Sequence, residues 1–153
     1  MKSRRGRLGS LLALGLIPLV GCSEATGGKR AIHVPGAPPP IAPYSPAIEV
    51  DGTLYVSGQI GIDPETWQLV PGGTEAEARQ ALDNMKAIVE AAGYSLADVV
   101  QAQVFVIDMG EYAAFNAVYA TYFRDKPPAR ALIQAAALPR GARVEVMVVA
   151  KRP

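Results

Sequence analysis

The sequence has one cysteine, Cys22, and one histidine, His33, in 153 residues. A structural zinc site needs about four Cys or His ligands, so a single chain cannot supply one. One cysteine also excludes an intramolecular disulfide. A Cys–His or Ser–His–Asp catalytic group would have to use His33, which lies in a segment rich in proline and glycine and is expected to be solvated. Catalysis therefore falls to arginine, glutamate, tyrosine, serine and backbone groups, and no metal is expected.

Acidic residues are missing from the first 23 positions, where four basic residues stand. Without residues 1–21 the chain keeps 11 of its 15 basic residues and all 14 acidic ones, which gives a net charge of −3. A mildly acidic body is a poor electrostatic partner for a phosphate backbone. No nucleic-acid partner is therefore expected.

The first 21 residues have the proportions of a signal peptide. A basic start precedes an apolar stretch over 8–20 that is too short to span a bilayer comfortably. The stretch ends in Leu19-Val20-Gly21-Cys22, which matches the bacterial lipobox. These features predict a signal peptide over 1–21, lipidation of Cys22 and a tether over 22–28 that anchors a domain over 29–153 to a membrane on the periplasmic side. The alternative is an ordinary signal peptide with an incidental cysteine.

A β-hairpin is predicted early in the body. Strands over 47–50 and 54–57 flank Asp51-Gly52, a pair that supplies the positive φ angles of a tight turn. The second strand continues towards Ile62, and Gly58 and Gly61 within it indicate a bulge or a close backbone approach.

Two helices are predicted further along the chain. The first, over 74–93, opens with a possible capping box between Thr74 and Glu77, carries one apolar stripe and ends at Gly93. The second covers 110–123, is predicted to turn Phe115, Val118, Tyr119 and Tyr122 to its inner face, and is stopped by a proline pair.

Strands over 100–107, 129–136 and 143–150 complete an order of three strands, helix, strand, helix, strand, strand. This order predicts an α+β fold with a mixed sheet and both helices on one face. The last strand is apolar on both faces, although helices are expected on only one. A second face of this kind is usually covered, and another subunit is the expected cover.

Five stretches of the body, in this order and spacing, resemble the Rid family, also called YjgF. The stretches are Ile41-Ala-Pro-Tyr-Ser-Pro46, Leu54-Tyr-Val-Ser-Gly-Gln-Ile60, the helix from Gln80 to Gly93, Phe115-Asn116 with Tyr119, and Pro128-Ala-Arg130 followed by Leu138-Pro139 and Val144-Glu145-Val146. The resemblance covers about residues 32–152. It implies a chorismate-mutase-like homotrimer in which three sheets form an inner barrel and each cleft between neighbours holds a site.

The same resemblance implies the residues of that site. Arg130 falls on the catalytic arginine of the family, and a guanidinium suits the carboxylate of an imino acid because it binds bidentately. Glu145 falls on the family's glutamate, which is suited to orient or deprotonate a water. Substrate-binding positions are implied for five further residues: Tyr44, Ser57, Gly58, Asn116 and Leu132. Many deaminating members have a cysteine at the position of Leu132, so this pocket is expected to be more apolar.

The implied function is hydrolysis of reactive enamines and 2-imino acids to 2-keto acids and ammonia, without a cofactor. The alternative is a module that binds small carboxylates without turnover; the ribonuclease activity claimed for some relatives fits the acidic body poorly. Structural roles stay open for single residues. Arg130 could be a surface arginine, Glu145 could pair with Arg130 of a neighbouring chain, Tyr44 could pack in the core, and Ser57 and Asn116 could be purely structural.

Overall fold

The computed structural model describes residues 28–35, 40 and 42–152, so the predicted leader, Cys22 and the tether up to residue 27 lie outside the described residues. The strands are β1 (Arg30–Ile32), β2 (Ala47–Val50), β3 (Thr53–Ile60), β4 (Val99–Val106), β5 (Ala129–Gln134) and β6 (Val144–Lys151), and the helices are α1 (Gly73–Ala91) and α2 (Tyr112–Tyr122). In this part of the chain, no helix combines the length and the apolar character needed to cross a bilayer.

The predicted hairpin is confirmed. Asp51 and Gly52 both have positive φ, 48° and 66°, and the antiparallel pairing of β2 with β3 begins directly beside them at Val50 and Thr53. Three strands were predicted before the first helix, but ranges were given to only two of them. The position of β1, which pairs with β2 along the outer edge of the hairpin, was not predicted. His33 follows it and is exposed, as expected.

The six strands form one mixed sheet in the order β1-β2-β3-β6-β4-β5. Neighbouring strands are antiparallel except β4 and β5, which are parallel and are connected through α2. Helix α1 packs against β3, β6 and α2, so both helices cover the same face. The predicted α+β class and the predicted arrangement of the helices are confirmed.

Helix α1 begins at Gly73, and the predicted capping box between Thr74 and Glu77 is not formed. Both side chains have partners from distant segments instead. The Thr74 hydroxyl bonds the carboxylate of Glu111 and accepts from Nε of Arg143, while Glu77 accepts from the Arg143 backbone N–H at 2.7 Å. These two buried polar residues therefore fasten α1 to the start of β6 and to the turn before α2.

The two faces of β6 differ in burial. Val144, Val146, Val148 and Ala150 are buried beneath the helices, whereas Glu145, Met147 and Val149 point to the other face and stay partly exposed. On that open face Tyr55 is 50% exposed and Ile133 is 53% exposed. The apolar second face is thus real, and its cover by another subunit stays a prediction.

Candidate active site

Arg130 lies on β5, at one end of the sheet order, with its side chain directed towards α2. The carbon at the centre of its guanidinium group lies 4.6 Å from the ring centroid of Tyr119, 5.7 Å from that of Phe115 and 6.0 Å from that of Tyr112. These separations are within the range of cation–π contact. The three rings recur along one side of α2 and meet Arg130 because β5 runs beside that helix.

Arg130 has no acidic partner among residues 28–35, 40 and 42–152. The ion pairs of this part of the chain are Arg30–Glu49, Lys86–Glu90, Arg143–Glu111 and Arg152–Glu49. A depression of about 360 Å³ lies beside this part of β5 and is lined by Val100, Gln101, Ala129, Arg130 and Ala131. The Arg130 guanidinium itself is half-buried on the helix face and has no acidic partner in the described residues, so it is suited to bind an external carboxylate.

Glu145 lies on the opposite face of the sheet, over a bulge in β3. Two residues of β3, Ser57 and Gly58, stand opposite one residue of β6 at this bulge. A Cβ atom on Gly58 would lie 2.7 Å from the Glu145 carboxyl carbon and would overlap its oxygen. The absence of a side chain at Gly58 therefore makes the space that the carboxylate occupies. Burial raises the pKa of Glu145 because desolvation disfavours its charged form.

Ser57 and Tyr44 belong to the loop beside this bulge. The Ser57 hydroxyl donates to the carbonyl of Ser45 at 2.7 Å, and the Ser57 N–H donates to the carbonyl of Pro46 at 2.9 Å. Ser57 thus fixes the loop that carries Tyr44. Tyr44 is 50% exposed, which excludes the core-packing alternative within one chain.

Leu132 and Asn116 belong to β5 and α2, the two elements that meet at Arg130. Leu132 is two residues further along β5 on the same face and packs against the core. Asn116 is half-buried on α2, between Phe115 and Tyr119 in sequence. We call Arg130, Leu132 and Asn116 with the three rings the Arg130 cluster, and Tyr44, Ser57, Gly58 and Glu145 the Glu145 cluster.

The two clusters do not meet within one chain. Arg130 is on β5 and Glu145 is on β6, with β4 between them, which is a separation of about 10 Å across the sheet. Arg130 is level with Ala102 of β4 and Glu145 with Phe105, so they are also three residues apart along the strands. Their side chains point to opposite faces. One substrate cannot contact both groups of a single copy.

The aromatic surroundings of Arg130 were missed in the sequence. Tyr119 was interpreted as a core residue of α2, which is correct for its ring, and Tyr112 was not singled out. The Tyr119 hydroxyl is buried without a hydrogen-bond partner in the described part of the chain. Burial raises the pKa of Tyr119 to about 12, and the nearby Arg130 charge opposes this only in part. The sequence signal that could have revealed these rings is the row of aromatic residues at positions 112, 115 and 119 in the helix that precedes the strand of Arg130.

Comparison with known proteins found relatives in sequence and in structure. The model of the family described as "Endoribonuclease L-PSP" matches residues 35–152. A mouse protein named 2-iminobutanoate/2-iminopropanoate deaminase is 48% identical over 122 residues, which is 80% of this chain and 90% of the mouse protein.

Solved structures with the same fold are also similar in sequence. A putative endoribonuclease from Thermotoga maritima superimposes with a TM-score of 0.78 at 44% identity, covering 81% of this chain and 98% of the other. TdcF from E. coli, solved with bound serine, gives a TM-score of 0.76 at 34% identity, covering 81% and 99% of the two chains. The chorismate-mutase-like fold is therefore confirmed.

The comparisons contradict the predicted location. The deaminase relative is a mouse protein, and mammalian cells do not use the bacterial lipoprotein pathway on which the prediction depended. The prediction of an exported lipoprotein with a signal peptide, anchored by lipid to a membrane on the periplasmic side, is wrong. The prediction rested on a basic start, an apolar stretch over 8–20 and the four-residue lipobox Leu19-Val20-Gly21-Cys22. Cys22 itself lies outside the described residues.

Proposed function

Because this chain belongs to the endoribonuclease L-PSP family, which includes the Rid proteins, we propose that it hydrolyses 2-imino acids and their enamine tautomers to 2-keto acids and ammonia. The observation that carries the proposal is the guanidinium of Arg130, which is half-buried, stacked on Tyr119 and free of acidic partners in the described residues. The deaminase name of the mouse relative and the serine bound to TdcF support an amino-acid-like substrate.

In this proposal Arg130 binds the substrate carboxylate through two parallel N–H donors. Its positive charge also draws electrons from the adjacent C=N carbon, which becomes a better electrophile. Leu132, two residues along the same face of β5, offers an apolar surface to the substrate side chain. Asn116 of α2 stands at the border of the same pocket.

Glu145 acts on the water. Its carboxylate accepts a proton as the water oxygen bonds to the imine carbon, and the former imine nitrogen takes up a proton. The resulting carbinolamine then breaks its C–N bond, releasing ammonia, while its hydroxyl loses a proton and becomes the keto oxygen. Burial raises the Glu145 pKa, which brings it closer to neutral pH and suits a group that must both accept and return a proton.

The active unit of this proposal is a homotrimer. Arg130 and Glu145 of one chain lie on opposite faces of the sheet, so the Arg130 cluster of one copy faces the Glu145 cluster of its neighbour. The partly exposed apolar residues on the open face of the sheet, among them Tyr55, Met147 and Val149, support such an interface. Tyr44 and Ser57 complete the Glu145 side of each shared cleft.

The activity is tested with imines generated in place by an L-amino-acid oxidase, whose release of 2-keto acid is followed with and without the purified chain. The chain is expected to accelerate the decay of the imine. Glu145→Gln, which keeps the size of the side chain, is expected to lower kcat more than it raises KM. Binding of 2-oxobutanoate without acceleration would support the carboxylate-binding module instead.

Subunit mixing tests the shared cleft separately. Arg130→Ala and Glu145→Gln chains, each impaired alone, are co-refolded in equal amounts. If each cleft takes Arg130 from one copy and Glu145 from the next, roughly one quarter of the clefts are intact in a random mixture. If both groups act from the same copy, mixing restores nothing. Light scattering of the wild type, expected at three times the 16.1 kDa of one chain, checks assembly.

A further inference from the structure

Three aromatic rings of α2 surround one side of the Arg130 guanidinium. Tyr119 is nearest at 4.6 Å, and Phe115 and Tyr112 lie at 5.7 Å and 6.0 Å. Tyr119 is held in turn by its neighbours along the helix, with ring centroids 5.6 Å from Phe115 and 4.7 Å from Phe123. The side chain that touches Arg130 most closely is therefore itself fixed by packing on both sides.

A ring under a guanidinium restricts it in a particular way. The cation–π contact uses the electron-poor face of the guanidinium and leaves the N–H donors at its edges free. A carboxylate partner would instead occupy those donors. Among the described residues Arg130 has the first kind of contact and not the second. The contact with Tyr119 thus restricts where the guanidinium lies, and the N–H donors have no carboxylate partner in the described residues.

Tyr119 is suited to this task because it stays neutral. A tyrosine phenol is protonated at physiological pH, and burial raises the pKa of Tyr119 further, to about 12, so no phenolate forms to pair with Arg130. Only 6% of Tyr119 is exposed, and its hydroxyl has no partner in the described part of the chain. The ring, rather than the hydroxyl, is the part of Tyr119 that contacts Arg130.

We propose that Tyr119 is a positioning residue for substrate binding, whose ring, supported by Phe115 and Tyr112, holds the Arg130 guanidinium in the plane that receives a carboxylate. The proposal deepens the proposed function and rests on it for the identity of the ligand. It assigns to Tyr119 the preorganisation of Arg130, so that less conformational freedom is lost when the ligand binds.

Phe123 provides a matched control. It belongs to the same helix side, is 7% exposed and stacks on Tyr119 more closely than Phe115 does, yet its ring is not among those over Arg130. Replacing Phe123 by leucine removes a buried ring from the same aromatic row. A loss common to Tyr119→Leu and Phe123→Leu reports on core packing, and a loss confined to Tyr119→Leu reports on Arg130.

Steady-state kinetics of the full chain test the positioning role. Tyr119→Leu is expected to raise KM on the order of 10-fold and change kcat little, because carboxylate binding is used equally in the ground state and the transition state. Tyr119→Phe keeps the ring and is expected to stay within about twofold of the wild type. Phe123→Leu is expected to do the same, because the Tyr119 ring keeps its contact with Phe115 and packs against the apolar leucine side chain. A tenfold rise in Tyr119→Phe would show that the hydroxyl binds substrate and would overturn the proposal.

Two measurements that need no turnover separate this proposal from the proposed function. Calorimetric titration compares 2-oxobutanoate with its amide, and Tyr119→Leu is expected to lose most of the preference for the carboxylate. In NMR spectra, the Arg130 side-chain protons of the wild type are expected to be shifted upfield by the ring, and the shift is expected to vanish in Tyr119→Leu and persist in Phe123→Leu. If the shift is absent from the wild type, the proposal fails. If the shift and the carboxylate preference are present but imines are not hydrolysed, only the proposed function fails.

Discussion

Two arginines of this chain stack on tyrosines, and they differ in what their N–H donors do. The Arg152 guanidinium lies 4.2 Å from the centroid of the Tyr94 ring, and Arg130 lies 4.6 Å from that of Tyr119. Arg152 donates to the carbonyl of Ala92 at 3.0 Å and to that of Gly93 at 3.3 Å. It also approaches the carboxylate of Glu49 at 3.7 Å.

The aromatic contact is therefore not what separates a structural arginine from a ligand-binding one. Arg152 donates to the two carbonyls that directly follow the end of α1 and links this turn to β2 through Glu49. Arg130 has a similar stack, and its donors have no acidic partner in the described residues. An arginine whose side chain is positioned by packing, but which has no acidic partner within the described residues, is available to bind a ligand.

The largest effect is expected from Arg130→Ala. Loss of the bidentate contact should lower kcat/KM for imines on the order of 10²-fold or more. Arg130→Lys should recover little, because an ammonium cannot reproduce the planar fork. Imine kinetics measure the effect, and thermal unfolding is the control. Arg130→Ala loses its ring contacts but no ion pair of the described residues, so the variant is expected to stay folded at the assay temperature. If Arg130→Ala hydrolyses imines at the wild-type rate, the proposed difference between a ligand-binding Arg130 and a structural Arg152 is wrong.

A smaller effect, on stability rather than on activity, is expected from Arg152→Ala. Loss of the stack and of the two carbonyl contacts should lower the free energy of unfolding by about 1–2 kcal/mol. Urea denaturation measures this, and kcat/KM of the folded variant should stay at the wild-type value. Lower activity without lower stability would show that Arg152 also serves a ligand.

The smallest effect concerns pH. Glu49 accepts a hydrogen bond from Arg30, which is the largest influence holding the pKa of Glu49 below its ordinary value of 4.5. A hydrogen bond from Tyr94 and the charges of Arg30 and Arg152 act in the same direction, and desolvation opposes them. A lowered folded-state pKa gives stability that is present above 4.5 and lost as pH falls through the folded value. The stability difference between wild type and Glu49→Gln should therefore shrink as pH falls below 4.5.

The Arg130 side of the comparison supplies the control for this measurement. Arg130 has no carboxylate partner in the described residues, so Arg130→Ala should follow the wild-type stability profile in acid. Chemical denaturation at several pH values distinguishes the two variants. A difference between wild type and Glu49→Gln that stays constant down to pH 3 would contradict the role given to Glu49.

Local chemistry made most of the fold predictable. The Asp51-Gly52 turn, the apolar stripe of α1 and the proline pair after α2 each act over a few residues, and each appeared where expected. Strand β1 is three residues long, which is too short for any alternation to be detected. The capping box failed for the opposite reason. Thr74 and Glu77 have the right spacing, but Glu111 and Arg143 offered stronger partners from far along the chain.

The residues of the candidate site were predictable only through the resemblance, and their arrangement was not. Nothing local indicates that Arg130 and Glu145 point to opposite faces of the sheet, because this depends on the register of β4 with both β5 and β6. The rings around Arg130 were hidden for a related reason. Tyr119 follows the spacing of a core residue, and a core residue that also supports a functional one looks the same in sequence.

The carboxylate over the β3 bulge has an evolutionary consequence. Because burial raises the pKa of Glu145, its ionised form at neutral pH is less favourable in the folded chain than in the unfolded one. A neutral side chain of similar size at position 145 is expected to make the protein more stable. The space that the missing side chain of Gly58 leaves would hold it as it holds the glutamate. A lineage released from selection for hydrolysis is therefore expected to lose this acid early, by mutations that also improve folding.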